Sequence, residues 1–252
     1  MNLVYLFLIV ASVVLGCDWN NVQNTFSENQ NISSKSVSSP IDTTRVSDYD
    51  MDTSQLKINL IPHGDYNTIK ADILRKKATQ HSKEDFENFL LNEIIPHWYG
   101  TEWDFNGYTA IPNQGEIACG YFVSTTLEHI GIVVNRYHLA QQAGLNEAKS
   151  LAIVDANYFT VYGWAALHDT MRSYRDGIYF VGLDNHVGYL YKEGPQLYFI
   201  HSNYIEDKVM IEKAAYSQAF KSNIYVVAKL STNELLLERW RTGERVEVVR
   251  SN

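Results

Sequence analysis

The sequence predicts an α+β fold, with helices in the first half of one main domain and an antiparallel sheet in the second half. Two patterns support this prediction. Apolar residues recur at helical spacing in several stretches between positions 67 and 174, whereas from 177 onward short runs of β-branched and aromatic residues alternate with turn residues. Of the 252 residues, 45% are hydrophobic, which is enough for one good core and a small extension.

The first 54 residues are expected to lie outside this domain. Residues 3–15 form an uninterrupted run of apolar and small residues that is too short for a comfortable membrane span, so residues 1–16 are interpreted as a secretion signal. From 17 to 54, Asn, Ser, Thr, Asp and Gln predominate and no period persists, which predicts a flexible tether. The folded domain is expected to cover residues 55–252.

The run VVLGC at the end of the apolar stretch resembles the bacterial lipobox, in which the cysteine is diacylated and becomes the first residue of the mature protein. The resemblance implies that Cys17 is the lipid attachment site of a membrane-anchored lipoprotein, on the periplasmic or surface side of a bacterial cell envelope. An ordinary signal peptide cleaved near Gly16 stays the alternative, because no Lys or Arg precedes the apolar run. If Cys17 is acylated, Cys119 has no intramolecular disulfide partner.

The charge of the chain argues against binding to nucleic acid. The formal net charge is −8, and no run of the sequence is rich in Lys or Arg. Neutralising phosphates requires a basic face. We therefore expect no nucleic acid among the partners of this protein.

Two helical pieces are expected between Asn67 and Pro96. Ser82 followed by Asp85 fits the cap of the second piece, and Pro96 is expected to end that piece. Residues 97–112 then combine aromatic residues with Gly and Pro. This composition predicts a loop whose aromatic rings fill the core or line a cleft.

Cys119 is expected at the start of the next helix. Gly115 ends a polar loop, and Gly131 stops the helical pattern. A thiol in the first turn of a helix lies beside unpaired backbone N–H groups and the positive end of the helix dipole, which favours the thiolate. Cys119 is therefore a candidate nucleophile, and a buried structural cysteine is the alternative. The apolar residues at helical spacing after the thiol are Phe122, Val123, Leu127 and Ile130.

Further elements follow from the same reading of the sequence. Three short helical pieces form a helical insertion at 136–144, 146–154 and 164–174. The sheet is expected to consist of a meander of antiparallel strands, a later strand and an edge hairpin, which cover 177–204, 223–230 and 235–249. A helix is expected at 211–220.

Two of the eight histidines stand out because of their positions in the meander. His186 opens a strand directly after a polar Asp-Asn break, and His201 lies near the end of the next strand. With the turn between these strands centred near Gly194, positions 186 and 201 lie almost opposite each other across the hairpin. Both side chains can therefore point at one spot.

The types of these residues predict nucleophilic catalysis. A thiol nucleophile requires an imidazole that accepts its proton, and a third polar group that orients this imidazole. We expect Cys119 to attack, His186 to act as the base and His201 to orient it, with Asn203 as the alternative orienting residue. Histidines that only satisfy local hydrogen bonds are one alternative, and a metal site is another, for which these scattered ligands are a weak signal.

Four runs of the chain, GTEWDFNG, IACGYFV, NHVGYL and YFIHSNY, resemble the NlpC/P60 group of cell-wall cysteine peptidases, which have a papain-like fold. The similarity covers about residues 95–230. It implies a nucleophile at a helix N-terminus packed on an antiparallel sheet, with Cys119, His186 and His201 as the catalytic triad. Trp103 lies where the family usually has a tyrosine in the substrate cleft.

Two further resemblances concern the same stretch. Gln114 is similar in type to the glutamine that helps to form the oxyanion hole in the papain group, with one residue fewer before the cysteine. The chain as a whole resembles a group of uncharacterised bacterial lipoproteins with the IACGYFV and LDNHVG runs. The chain departs from the usual Asp-Cys-Ser-Gly of the family, because Cys119 follows an alanine and precedes Gly120-Tyr121.

These resemblances imply an exported, lipid-anchored cysteine hydrolase that cleaves an amide bond, with a peptide or peptidoglycan peptide as substrate. They imply no metal and no organic cofactor. A binding module of the envelope on the same fold, without turnover, is one alternative. A thiol acyltransferase, which uses the same triad, is the other.

Overall fold

The computed structural model describes residues 56–250. The predictions of a signal segment at 1–16, a tether at 17–54 and lipid attachment at Cys17 lie outside the described residues. No helix in the described range is long and apolar enough to cross a membrane. Helices pack on a six-stranded sheet, so the predicted α+β class is confirmed.

The sheet is antiparallel between all neighbouring strands. Its order is β1-β6-β2-β3-β4-β5, so the meander β2-β3-β4-β5 is extended by β6 and β1 on the other side of β2. The strands are β1 Tyr158–Tyr162, β2 Gly177–Gly182, β3 Val187–Glu193, β4 Gln196–Asn203, β5 Lys208–Lys213 and β6 Ile224–Lys229.

Both faces of the central strands are covered. Tyr189 and Ile200, which are register partners, belong to the core on the α4 side of the sheet. The next pair, Leu190 and Phe199, belongs to a second core on the α7 side. This alternation explains why β2 and β3 are apolar along almost their whole length. The tight turn between β3 and β4 contains Gly194, whose φ of +56° is a conformation that glycine adopts readily.

The helices precede the sheet, lie between its strands, and follow it. Helix α2 begins with the predicted capping box, in which Ser82 Oγ accepts from Asp85 N and the Asp85 side chain accepts from Ser82 N. The α-helices are α1 Tyr66–Lys76, α2 Lys83–Glu87, α3 Ile95–Trp98, α4 Cys119–His129, α5 Arg136–Ala140, α6 Gly144–Ala152, α7 Trp164–Met171 and α8 Glu234–Thr242.

The prediction that Pro96 ends the second helical piece is wrong. Helix α2 continues through a π-helical segment, Asn88–Ile94, into α3. Pro96 lies in the first turn of α3, directly after the π-helical segment, so it falls where the helical hydrogen-bond pattern changes and not where the helix ends. The helical insertion is present as α5, α6 and α7, but strand β1, which the sequence reading missed, interrupts it.

The prediction of a helix at 211–220 is also wrong. Strand β5 runs to Lys213 and pairs with β4, with Ile211 opposite Ile200, and only turns follow it before Asn223. The spacing of apolar residues gives this stretch a weak preference for a helix. The free energy gained by pairing with the backbone groups of β4, which otherwise have no partner in the sheet, is larger.

The predicted edge hairpin at 235–249 is wrong as well. Asn233 Oδ1 accepts from the N–H groups at the start of α8, and Gly243 ends this helix in a left-handed conformation. The residues after Gly243 add one parallel bridge, Val246 to Val134, and no strand. The helix is favoured because it buries one stripe of its surface. The buried residues Leu236, Leu237 and Trp240 are spaced as on one face of a helix.

Residues 100–103 extend the sheet beyond β5. Val209 N donates to Thr101 O (2.8 Å), and Val209 O accepts from Gly100 N (2.9 Å). Trp103 N donates to Asp207 O (3.0 Å). The aromatic-rich loop before Cys119 is therefore tied to the outer side of β5.

Candidate active site

Helix α4 begins at Cys119, as predicted, and the residues before it are fixed to two other segments. Ile117 N donates to Glu102 O (2.9 Å). Ile117 O accepts from the hydroxyl of Ser202 on β4 (2.7 Å). These bonds hold the start of α4 beside the end of β4.

The thiol of Cys119 is half-buried, and the N–H groups of Cys119, Gly120 and Val187 lie close enough to the sulfur to favour a lower pKa. Burial, together with the nearby carboxyl of Glu147, outweighs these groups and raises the pKa of the thiol to about 11. The resting cysteine is therefore a neutral thiol near neutral pH. The expectation that the helix N-terminus produces a thiolate is not met.

His186 and His201 are in contact, as the sequence predicts. His186 Nε2 lies 2.7 Å from His201 Nδ1, and the two rings meet edge to face. Gly188 provides the space for this arrangement, because a Cβ at this position would lie 2.9 Å from the Cβ of His201 and 2.6 Å from the ring of Phe199. The glycine of the NHVG run is thus required by the packing of the second histidine.

Both histidines are buried, with exposed fractions of 5% for His186 and 0% for His201. Burial lowers the pKa of His201 to about 3, and it lowers the pKa of His186 well below its usual value, with a further contribution from His201. Both imidazoles are therefore neutral near pH 7, and each has a lone pair on one of its two ring nitrogens.

Glu212 on β5 extends the chain of hydrogen bonds, and the sequence reading missed it. Its Oε1 lies 2.9 Å from His201 Nε2 and accepts from the hydroxyl of Ser217 (2.6 Å). Burial raises the pKa of Glu212, while the bond from Ser217 lowers it. Only a correct assignment of 208–213 to a strand could have placed this carboxyl next to His201.

Asn203, the alternative orienting residue, does not contact His186 in the described structure. Its Oδ1 accepts from Ile205 N (2.8 Å) and Glu206 N (3.2 Å), so it stabilises the turn between β4 and β5. Its Nδ2 lies 3.4 Å from Glu212 Oε1. The position beside His186 belongs to His201.

The two residues assigned to the cleft differ in their surroundings. Trp103 is half-buried and packs against Tyr204, whose ring in turn packs edge to face against His186. Gln114 is exposed, and its carbonyl accepts from Thr109 Oγ1 (2.6 Å) in a turn of the preceding loop. No hydrogen bond of the Gln114 side chain to another described residue is found, so the structure does not bring it to Cys119.

Glu147 on α6 is a second carboxyl that the sequence reading missed. It is 1% exposed, and its Oε2 has no hydrogen-bond partner in the described structure. Burial raises its pKa well above the usual value, which favours the neutral acid over the carboxylate. The sequence gives no signal for this residue, because Glu on a short helix is typical of a solvated face.

No hydrogen bond connects Cys119 to His186 within residues 56–250. The residue that follows His186, Val187, has its N–H at the sulfur of Cys119. Two surface cavities, of about 400 and 240 Å³, lie beside α8 and beside the turn between β3 and β4. Neither is lined by Cys119 or the two histidines, so the candidate site is identified by its hydrogen-bonded side chains.

The part of the chain that the structure describes contains no group of three or more His, Cys, Asp or Glu residues placed to hold a metal ion.

Comparisons of the chain with protein-family models, with curated proteins and with solved structures found no match.

Proposed function

We propose that this protein is a cysteine hydrolase with a papain-like, NlpC/P60-like domain that cleaves an amide bond in a peptide, with a peptidoglycan peptide as the preferred substrate. The observation that supports this proposal most directly is the hydrogen bond between His186 and His201 next to Cys119. The N–H of Val187, the residue after His186, lies at the sulfur of Cys119. The lipid anchor on Cys17 and a location at the bacterial cell envelope are parts of the same proposal.

In the proposed reaction, Cys119 Sγ forms a bond to the carbonyl carbon of the substrate while His186 accepts the thiol proton. Because the resting thiol and imidazole are both neutral, proton transfer accompanies the attack instead of preceding it. The backbone N–H of Cys119 is the proposed donor to the oxyanion. His186 then protonates the leaving amine, which leaves a thioester on Cys119.

Hydrolysis of the thioester completes the cycle. His186 takes a proton from water, the resulting hydroxide attacks the thioester carbonyl, and the proton returns to the sulfur as the carboxylic acid leaves. No redox step or external co-reactant other than water is needed. His201 keeps the ring of His186 in place during both proton transfers.

The test is incubation of the full chain, in detergent micelles, with muropeptides, followed by mass spectrometry of the products. We expect a mass gain of one water and one new amino terminus per cleaved amide, and loss of this activity in Cys119→Ala. Equal product formation by the wild type and by Cys119→Ala would contradict the proposal.

One observation favours a second candidate, a non-catalytic binding module on the same domain. The thiol pKa of about 11 and the lack of a Cys119–His186 hydrogen bond describe a cysteine that is unreactive at rest. Alkylation by iodoacetamide separates the two candidates. With a hydrolase, protection of Cys119 by an added peptide is expected to fade as the peptide is cleaved, whereas a binding module is expected to leave the peptide intact and the protection constant.

A further inference from the structure

The carboxylate of Glu212 ends a chain of hydrogen bonds that starts at His186. His186 Nε2 lies 2.7 Å from His201 Nδ1, and His201 Nε2 lies 2.9 Å from Glu212 Oε1. The ring of His201 is stacked on Phe199, with ring centroids 3.9 Å apart, so it has little freedom to turn away from these partners. Each of the two contacts needs one hydrogen, and its position determines which nitrogens of the histidines are protonated.

The bonds around Ser217 show that Glu212 Oε1 is an acceptor. Ser217 Oγ accepts from Phe220 N (3.0 Å), so its single hydrogen is directed at Glu212 Oε1, 2.6 Å away. Asn203 Nδ2, at 3.4 Å from the same oxygen, has only hydrogens to offer. An oxygen surrounded by donors is itself an acceptor, whether the carboxyl is ionised or protonated on its other oxygen, so Oε1 also accepts from His201.

The tautomers of both histidines follow from this acceptor. His201 Nε2 carries the hydrogen that points at Glu212, so Nδ1 of this neutral ring is an acceptor. His186 Nε2 must then donate to His201 Nδ1. The remaining nitrogen, His186 Nδ1, carries no hydrogen and has the lone pair that a base requires.

We propose that Glu212 is a positioning residue that fixes the tautomers of His201 and His186, and thereby leaves His186 Nδ1 as the proton acceptor for the Cys119 thiol. This inference rests on the proposed hydrolase function for its catalytic consequence. Its structural part, the tautomer of each ring, can be tested without any substrate.

Two substitutions of Glu212 separate its role as a hydrogen-bond acceptor from the effect of its charge. Glu212→Met keeps a side chain of similar length but offers His201 only a weakly accepting sulfur, so the tautomers are no longer firmly fixed. Glu212→Gln retains an amide oxygen that can accept from both His201 and Ser217. Glu206→Met, in the exposed turn between β4 and β5, is the matched control.

The experiment is ¹⁵N NMR of the histidine rings in the full chain, combined with steady-state kinetics on the peptide substrate. In the wild type and in Glu212→Gln, we expect hydrogen on Nε2 and none on Nδ1 of both rings. In Glu212→Met we expect a mixture of tautomers and a kcat lower by about 10²–10⁴ with an unchanged KM, because a misplaced tautomer of a catalytic histidine costs about 10⁴ in serine proteases. Glu212→Gln is expected to stay within about tenfold of the wild type.

Hydrogen on Nδ1 of His201 in the wild type would overturn the inference, and so would wild-type tautomers and kcat in Glu212→Met. If Glu212→Met does not fold, the wild-type spectrum and Glu212→Gln still decide the tautomers. Failure of the proposed function looks different: Cys119→Ala would then equal the wild type in product formation, whereas the NMR spectra would still support or contradict the role of Glu212.

Discussion

The carboxyl of Glu147 is held in the interior beside a thiol, with one oxygen unpaired. A buried carboxyl without a hydrogen-bond partner is more stable as the neutral acid than as the anion, which loses its hydration. For this reason burial raises the pKa of Glu147 so far. Any ionisation of Glu147 opposes formation of a thiolate on Cys119. Besides burial, which is the larger cause, a residue on another helix therefore contributes to the raised pKa of the Cys119 thiol.

Replacing Glu147 by Gln is expected to lower the pKa of the Cys119 thiol, since the amide cannot become an anion. The measurement is the rate of iodoacetamide alkylation of Cys119 between pH 7 and 11. The midpoint of the rate profile should move to lower pH than in the wild type. Glu84→Gln, at an exposed position on α2, serves as the control and should leave the profile unchanged. An unaltered midpoint in Glu147→Gln would show that the carboxyl does not act on the thiol.

Helix α6 reaches this position because its backbone touches the sheet directly. A Cβ on Gly144, the first residue of α6, would lie 2.9 Å from the Cα of Gly182 on β2 and 3.4 Å from a methyl group of Val187. Contact with backbone atoms leaves no flexible side chain that could move aside. The two facing glycines therefore set the distance between α6 and β2, next to the start of β3 at Val187.

Gly144→Ala is expected to destabilise the protein by about 1–3 kcal/mol, because overpacking outweighs the gain in helix propensity of at most about 1 kcal/mol. Urea unfolding followed by circular dichroism measures this change. Leu145→Ala, at the next and largely exposed residue of α6, should change the free energy of unfolding by less than Gly144→Ala. Equal or higher stability of Gly144→Ala would mean that the close approach of α6 and β2 is not needed.

The elements differ in how far the sequence predicts them. The meander β2-β3-β4 is predictable because its apolar runs are separated by strong turn residues such as Gly194. Strand β5 is not predictable, because its last residues lead into a stretch with helical spacing and only pairing with β4 decides its conformation. The first turn of α3 shows the same limit, because Pro96 predicts a helix end, whereas the helical stretch continues past it to Trp98.

The residues of the candidate site also differ in how far the sequence predicts them. His186 and His201 are predictable because their contact depends on one hairpin, and Cys119 because its helix start is marked in the local sequence. Glu212 and Glu147 come from elements whose position depends on tertiary packing. A reading of local patterns contains no information about such packing.

At the scale of the whole molecule, buried neutral histidines make the fold sensitive to acid. His129 and His201 lie in the interior, and their pKa values are lowered to about 3, in both cases mainly by burial. In the unfolded chain the same groups take up a proton near pH 6.5. As pH falls from about 6.5 toward 3, the unfolded state binds protons that the folded state does not, so stability is lost over this range.

Each of these histidines is expected to reduce the free energy of unfolding by about 1.4 kcal/mol per pH unit below pH 6. Urea unfolding at pH 7, 6, 5 and 4 measures the slope. His129→Asn, which retains an acceptor for the hydroxyl of Tyr66, should lower the slope by this amount. His168→Gln, at a half-exposed position, should not change it. Identical slopes in His129→Asn and the wild type would contradict the assignment.

The backbone pairing between residues 100–103 and the outer side of β5 restricts how a peptide can be recognised. Extended peptides often bind by adding a strand to a free sheet edge, where their main chain is read regardless of sequence. On β5, the groups of Val209 that would serve this purpose are already used by Gly100 and Thr101. Strand addition beside Val209 is therefore blocked, so a peptide that binds this protein cannot do so by pairing with that part of the β5 edge.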